Sequence, residues 1–245
     1  MRISMFALTA VAAVGLSGCS PRAESTVEAP KTEATGATAP APATEVAPGI
    51  PRLAAQGASA AAFVPAGWRL EQAVQGDISR DGVPDIAFVL RRADPQKIVP
   101  REGLPDSDIN PRILAVALGG EGGYRLAGQN HAIFPERDAD MLHMDDPFDA
   151  GLSVANGLLT LELNLFMSMG GGSTGPYQFH IRQQDGAIKL IGYDHTNVER
   201  MSGQMTAISV NLLTGQRTDT AGRIDSERTS TVASRTAVKP IPLDQ

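Results

Sequence analysis

The 245-residue chain is 42% hydrophobic and 20% charged, and its 27 Asp and Glu outnumber its 21 Lys and Arg for a formal charge of −6 at pH 7. Such a balance argues against nucleic acid, whose phosphates require clustered cations, and supplies no polybasic attachment to anionic lipid. One cysteine in the whole chain excludes a framework of internal disulfides.

The chain opens with Arg2 and an uncharged apolar stretch over residues 3–14, the layout of a secretory signal. The stretch is too short for a bilayer span, which takes about 20 apolar residues. It gives way to Leu16-Ser17-Gly18-Cys19, which resembles the lipobox of bacterial lipoproteins: Leu, two small residues, then Cys directly after the apolar region. The resemblance implies a signal peptide at residues 1–18, diacylglycerol on the sulfur of Cys19, and a further acyl chain such as palmitate on the new amino group. Two or more chains, at about 0.8 kcal/mol per buried methylene, hold a protein stably where one does not. An ordinary secretory signal with a cysteine near its end is the competing reading. Against it, Cys19 is the only thiol, so lipid explains its single sulfur. Ser20 rather than Asp follows the cysteine, which by the sorting pattern of such lipoproteins implies the outer membrane facing the periplasm, with a Gram-positive surface as the alternative.

From residue 19 to residue 59 Ala, Pro, Thr and Glu dominate and no aromatic residue occurs, which predicts a lipid-anchored, disordered linker over 19–59. Pro-containing tracts such as Ala39-Pro40-Ala41-Pro42 stiffen it locally toward polyproline II. About 40 such residues have a coil reach of roughly 35 Å. Residues 60–245 remain for one β-rich globular domain.

Residues 67–74 fit a short helix or an extended approach. Residues 112–118 (RILAVAL) and 124–126 flank a Gly-rich turn, 152–155 and 158–165 flank Asn156-Gly157, and 177–183 and 187–193 flank Asp185-Gly186. These are three hairpin signals. In the third, Tyr177, Phe179 and Ile181 face one side while Gln178, His180 and Arg182 face the other. Residues 207–213 form a further strand, and 218–238 one or two weaker polar ones. The fold class expected is mainly β, with antiparallel hairpins in a single compact domain, either a sandwich or a partial propeller.

Residues 76–90, GDISRDGVPDIAFVL, carry the chain's most specific polar pattern. Asp77, Ser79, Asp81 and Asp85 stand at positions 1, 3, 5 and 9 of a loop, Gly82 supplies a sharp turn, and Val83 offers a carbonyl. Calcium accepts such a mixture of carboxylate, hydroxyl and carbonyl oxygens. Phe88 stands where an EF-hand requires a bidentate acid, so an EF-hand is excluded. A loop leading directly into an apolar strand resembles instead the calcium loops of FG-GAP repeats, although Ser79 and Arg80 depart from that pattern and no second copy exists. The other reading is a metal-free turn in which the acids accept backbone N–H groups. Residues 63–90, with their Pro-x-Gly-Trp opening, also resemble a group of bacterial envelope proteins without an assigned activity.

The segment 136–149 gathers six carboxylates around His143, which suggests either a metal or acid–base site or a solvated acidic loop. The Gly-rich segment 167–175 lacks the Lys of a phosphate-binding loop and fits a flexible connection. His131, His180 and His195 are the other bases, and no catalytic residue is assigned. These features point to a lipid-anchored envelope protein that binds or supports an envelope protein or glycan. The alternative is a metal-assisted periplasmic hydrolase of glycan or phosphoester.

Overall fold

Strand is the dominant regular structure among the residues that the computed structural model describes, 45–138, 144–166 and 172–244; two short 3-10 turns accompany it and no α-helix does. All of these residues lie in one compact unit, Ala41–Gln245. In chain order the strands are β1 Glu45–Ala47, β2 Ile50–Pro51, β3 Gln56–Gly57, β4 Trp68–Gly76, β5 Asp85–Arg92, β6 Ile98–Val99, β7 Ser107–Asp108, β8 Arg112–Gly120 and β9 Gly123–Asn130. There follow β10 Gly151–Ala155, β11 Leu158–Phe166, β12 Ser173–Gln184, β13 Ala187–Glu199, β14 Gln204–Asn211, β15 Gln216–Arg223, β16 Ser226–Arg235 and β17 Ile241–Pro242.

The first half builds a five-stranded sheet in the order β3-β9-β8-β5-β4, and the second half an antiparallel meander running from β10 to β16, with β17 added beside β13. Strands β5 and β8 are apolar on both faces because both faces are covered. Ile86, Phe88, Leu90, Ile113 and Ala115 pack against Ile50, Leu53 and Phe63, with the rings of Phe63 and Phe88 stacked at 5.3 Å. Ala87, Val89, Leu114 and Val116 point the other way, onto Leu152, Leu159, Leu161, Leu163 and Ile181 of the meander. Each such side chain removed from water contributes about 1.5–3 kcal/mol. The result is a sandwich of two antiparallel sheets with the N-terminal segment as a third layer.

The hairpin turns form where the sequence signals them. Asn156 and Gly157 have φ of 53° and 73°, and Asp185 and Gly186 have 54° and 76°. Paired positive φ values of this kind match the twist of the flanking strands. Along β11 the alternation is strict: Leu159, Leu161 and Leu163 are buried between partly exposed Thr160, Glu162 and Asn164. Residues 67–74 enter β4, so the extended alternative holds there, and the polar stretch over 218–238 supplies β15 and β16.

One boundary is corrected. Within the stretch 19–59 expected as linker, residues 45–57 carry β1, β2 and β3 and bury Ile50 and Leu53 to 5% and 4% exposure. Two aliphatic side chains three residues apart are enough to cover part of a sheet face, even in a stretch whose composition is otherwise poor in apolar bulk. The backbone N–H of Leu53 donates to Gln129 Oε1 on β9 at 2.8 Å, which ties that cover down.

Candidate functional site

The structure places Asp77, Ser79, Asp81 and Val83 in the turn between β4 and β5, with Asp85 as the first residue of β5. Asp85 is fully buried. Its Oδ2 accepts the N–H groups of Ile78 and Ser79 at 2.8 and 2.7 Å, and its Oδ1 accepts that of Gly119 on β8 at 2.9 Å. Asp77 accepts the N–H groups of Asp81 and Gly82, both at 3.1 Å, and Asp81 accepts that of Val83 at 2.8 Å. The Asp81 bond is an Asx turn, and those of Asp77 reach four and five residues on, so the loop is held by its own backbone donors. Asp77, Ser79 and Asp81 are brought together at the surface, while Asp85 is turned inward. Among the described residues no three His, Cys, Asp or Glu side chains are grouped as ligands for a metal ion. Arg80, at φ 65°, reaches across to donate to the carbonyl of Asn156 at 2.7 Å, so the loop is latched to the β10–β11 turn.

The most concentrated chemistry lies elsewhere. Arg91 on β5 and Arg112 on β8 are register partners, side by side, and both are about 4% exposed. Two adjacent buried guanidiniums require countercharge. Glu71, carried on the bulge of β4 between Leu70 and Gln72, accepts from Arg112 Nε at 2.6 Å and from Arg91 Nη1 at 3.1 Å. Asp146 accepts from both arginines at 2.8 Å, and Asp108 lies 3.0 Å from Arg91 Nε. Burial pushes the Asp146 carboxyl up, but the Arg112 hydrogen bond and the charges of Arg112 and Arg91 outweigh it and hold the group below its ordinary value. Burial likewise works against the Arg112 charge, and its bonds to Glu71 and Asp146 more than restore it.

A third guanidinium, that of Arg137, is placed differently. Its donors go to the carbonyls of Asp108 and Met144 and to Ser107 Oγ, and its nearest paired carboxylate oxygen, on Asp146, is 3.7 Å away. Its Nε is buried with no hydrogen-bond partner. Burial pulls this group below its ordinary value; Asp146 opposes that shift, while Arg91, Arg112 and Arg101 add to it. Arg137 and Arg112 line a cavity of about 450 Å³, together with Arg92, Lys97, His131 and Glu136. Ile50, Ile109 and Phe134 form part of its apolar wall.

The acidic segment 136–149 is therefore divided. His143 lies outside the described residues, but Asp145 meets Arg101 at 3.3 Å and Asp146 sits in the arginine cluster, so neither is a simply solvated acid. Of the Gly-rich segment, residues 167–171 lie outside the described residues, and Ser173, Thr174 and Gly175 belong to β12. On the solvent side of the meander, His180 Nε2 and Asp194 Oδ2 are 2.6 Å apart. His195 stacks on Tyr177 at 3.7 Å, and burial lowers its pKa. Sequence reasoning misses the arginine cluster, although Arg91 ends one apolar run and Arg112 begins the next, so antiparallel pairing of the two runs would bring them together. Comparison of the chain with protein-family models, with curated proteins and with solved structures finds no match to any of them.

Proposed function

We propose that the chain is a lipid-anchored cell-envelope protein, held through Cys19 at the outer membrane on its periplasmic side, and that its β domain is a binding or structural module for an envelope protein or glycan. The observation that carries this is Leu16-Ser17-Gly18-Cys19 directly behind a short apolar stretch, with Cys19 the chain's only thiol. Among the described residues strand begins at Glu45, which leaves residues 20–44 for the proposed tether.

The form of the domain is compatible with docking. Among the described residues strand β16 pairs only with β15, and every residue along it is exposed, so one edge of the meander offers backbone donors and acceptors to another chain. The test is metabolic labelling of cells with an alkyne analogue of palmitate, followed by membrane fractionation and crosslinking. Wild type is expected to carry label, to sediment with the outer membrane and to crosslink reproducibly to one envelope component. Cys19→Ser is expected to lose both label and sedimentation. Unlabelled wild type would refute the anchor, and recovery of the crosslinked protein alone would refute the binding module.

A further inference from the structure

We propose that the cavity beside Arg112 and Arg137 binds a small organic anion, a carboxylate or phosphate head on a compact apolar body; this rests on taking the domain as a binding module and names the class of ligand. The chain carries a formal charge of −6, yet the cavity wall holds Arg92, Lys97, Arg112 and Arg137 against the single carboxylate of Glu136. The four cations are not equally satisfied. Arg112 is closed off by Glu71 and Asp146. The nearest acid to Arg92 is Asp94, at 3.9 Å, and Lys97 has no ion pair among the described residues.

Arg137 is the centre of the argument. Its side chain is 5% exposed, its bonds go to neutral oxygens, and Asp146 is already shared by Arg91 and Arg112. A buried charge whose counter-ion stands 3.7 Å off and is shared with two other guanidiniums is costly, and an anion entering the cavity supplies another. His131, also on the wall, has a buried Nδ1 without a partner, a second polar atom with unused hydrogen-bonding capacity at the same place. The wall also includes Ile50, Ile109 and Phe134, which suit an apolar body rather than a bare ion. A volume of about 450 Å³ is within the range of small-molecule sites.

The test is calorimetric titration of the purified full chain with phenyl phosphate and with benzoate, using benzyl alcohol and inorganic phosphate as controls. Saturable binding is expected for at least one aromatic anion and none for the alcohol, and the anion that binds identifies the head as phosphate or carboxylate. Arg92→Gln combined with Lys97→Gln, on the wall but outside the buried cluster, is expected to weaken binding at least tenfold while the melting temperature moves by about 2 °C or less. No heat from either anion, or an affinity untouched by the double substitution, overturns the site. Inorganic phosphate binding as tightly as phenyl phosphate overturns the apolar body. A silent titration leaves labelling at Cys19 as it is, and failed labelling leaves the heats as they are, so the two readings fail separately.

Discussion

Substitution of Glu71 by Gln tests whether the arginine cluster holds the two ends of β5 and β8 together. The carboxylate receives three charged hydrogen bonds, from Arg91 Nη1 at 3.1 Å and from Arg112 Nε and Nη2 at 2.6 and 2.9 Å, and its side chain is 16% exposed. Glu71→Gln keeps the shape but removes the charge and turns one acceptor into an N–H₂ donor facing guanidinium donors. Asp146, with Asp108 beside Arg91 alone, is then left to balance Arg91 and Arg112, which stay adjacent because the β5–β8 register puts them there. Breaking a buried pair from one side costs about 3–5 kcal/mol. At about 2–4 °C per kcal/mol for a domain of this size, the melting temperature should fall by roughly 6–20 °C. Urea unfolding should show a lower midpoint with an unchanged slope. The companion variant is Glu162→Gln, whose carboxylate meets Gln178 at 2.6 Å on the outer face of the meander; its loss should stay below about 1 kcal/mol. If the two substitutions cost the same, the cluster is not what stabilises this end of the sheet.

Asp85→Asn leaves one acceptor oxygen for three backbone donors, those of Ile78, Ser79 and Gly119; a loss of about 2 kcal/mol in urea unfolding is expected, and one below about 0.5 kcal/mol would contradict the inward role of that carboxylate. Because the folded-state pKa of Asp146 is depressed, its stabilisation is present above the unfolded value of 3.8 and lost as pH falls through the folded one. The melting temperature should thus decline in acid, and the decline should be shallower in Asp146→Asn; identical acid limbs would exclude this linkage. Gly157→Ala drives a Cβ into the Arg80 side chain at a φ of 73°, so thermal unfolding should register a loss of about 1 kcal/mol or more. With Asp77 and Asp81 already accepting loop N–H groups, calcium and chelator should each leave the melting temperature within about 1 °C, whereas a calcium-dependent rise that Asp77→Asn abolishes would place an ion in the loop.

The parts of the fold that could be anticipated are those specified by neighbours in sequence. Asn156-Gly157 and Asp185-Gly186 set their own turns, and the alternating leucines of β11 set their own face. Strand β4 cannot be told from a helix by spacing, because the bulge between Leu70 and Gln72 breaks the two-residue period at Glu71, the residue that turns toward the arginines. The start of the domain is hidden for another reason. Ile50 and Leu53 act by covering Phe88 and Ile113, strand residues far along the chain, and composition averaged over an Ala- and Pro-rich stretch cannot register two side chains with such partners.

The same distinction explains why the acidic segment misleads. Six carboxylates near His143 suggest a negative site when counted along the chain, but charge acts through space and through the medium around it. Asp145 and Asp146 pair with Arg101, Arg91 and Arg112 across the fold, so part of their charge is matched by cations less exposed than they are. Acids left on exposed loops are screened within about 10 Å at ordinary salt, whereas a guanidinium 5% exposed is screened far less. On the cavity wall Arg92, Lys97, Arg112 and Arg137 stand with one carboxylate, Glu136, and the paired carboxylate oxygen of Arg137 is 3.7 Å away. A chain of formal charge −6 thus places four cations and one carboxylate on this wall, and the anion proposed for it is the opposite of what the net charge alone would suggest.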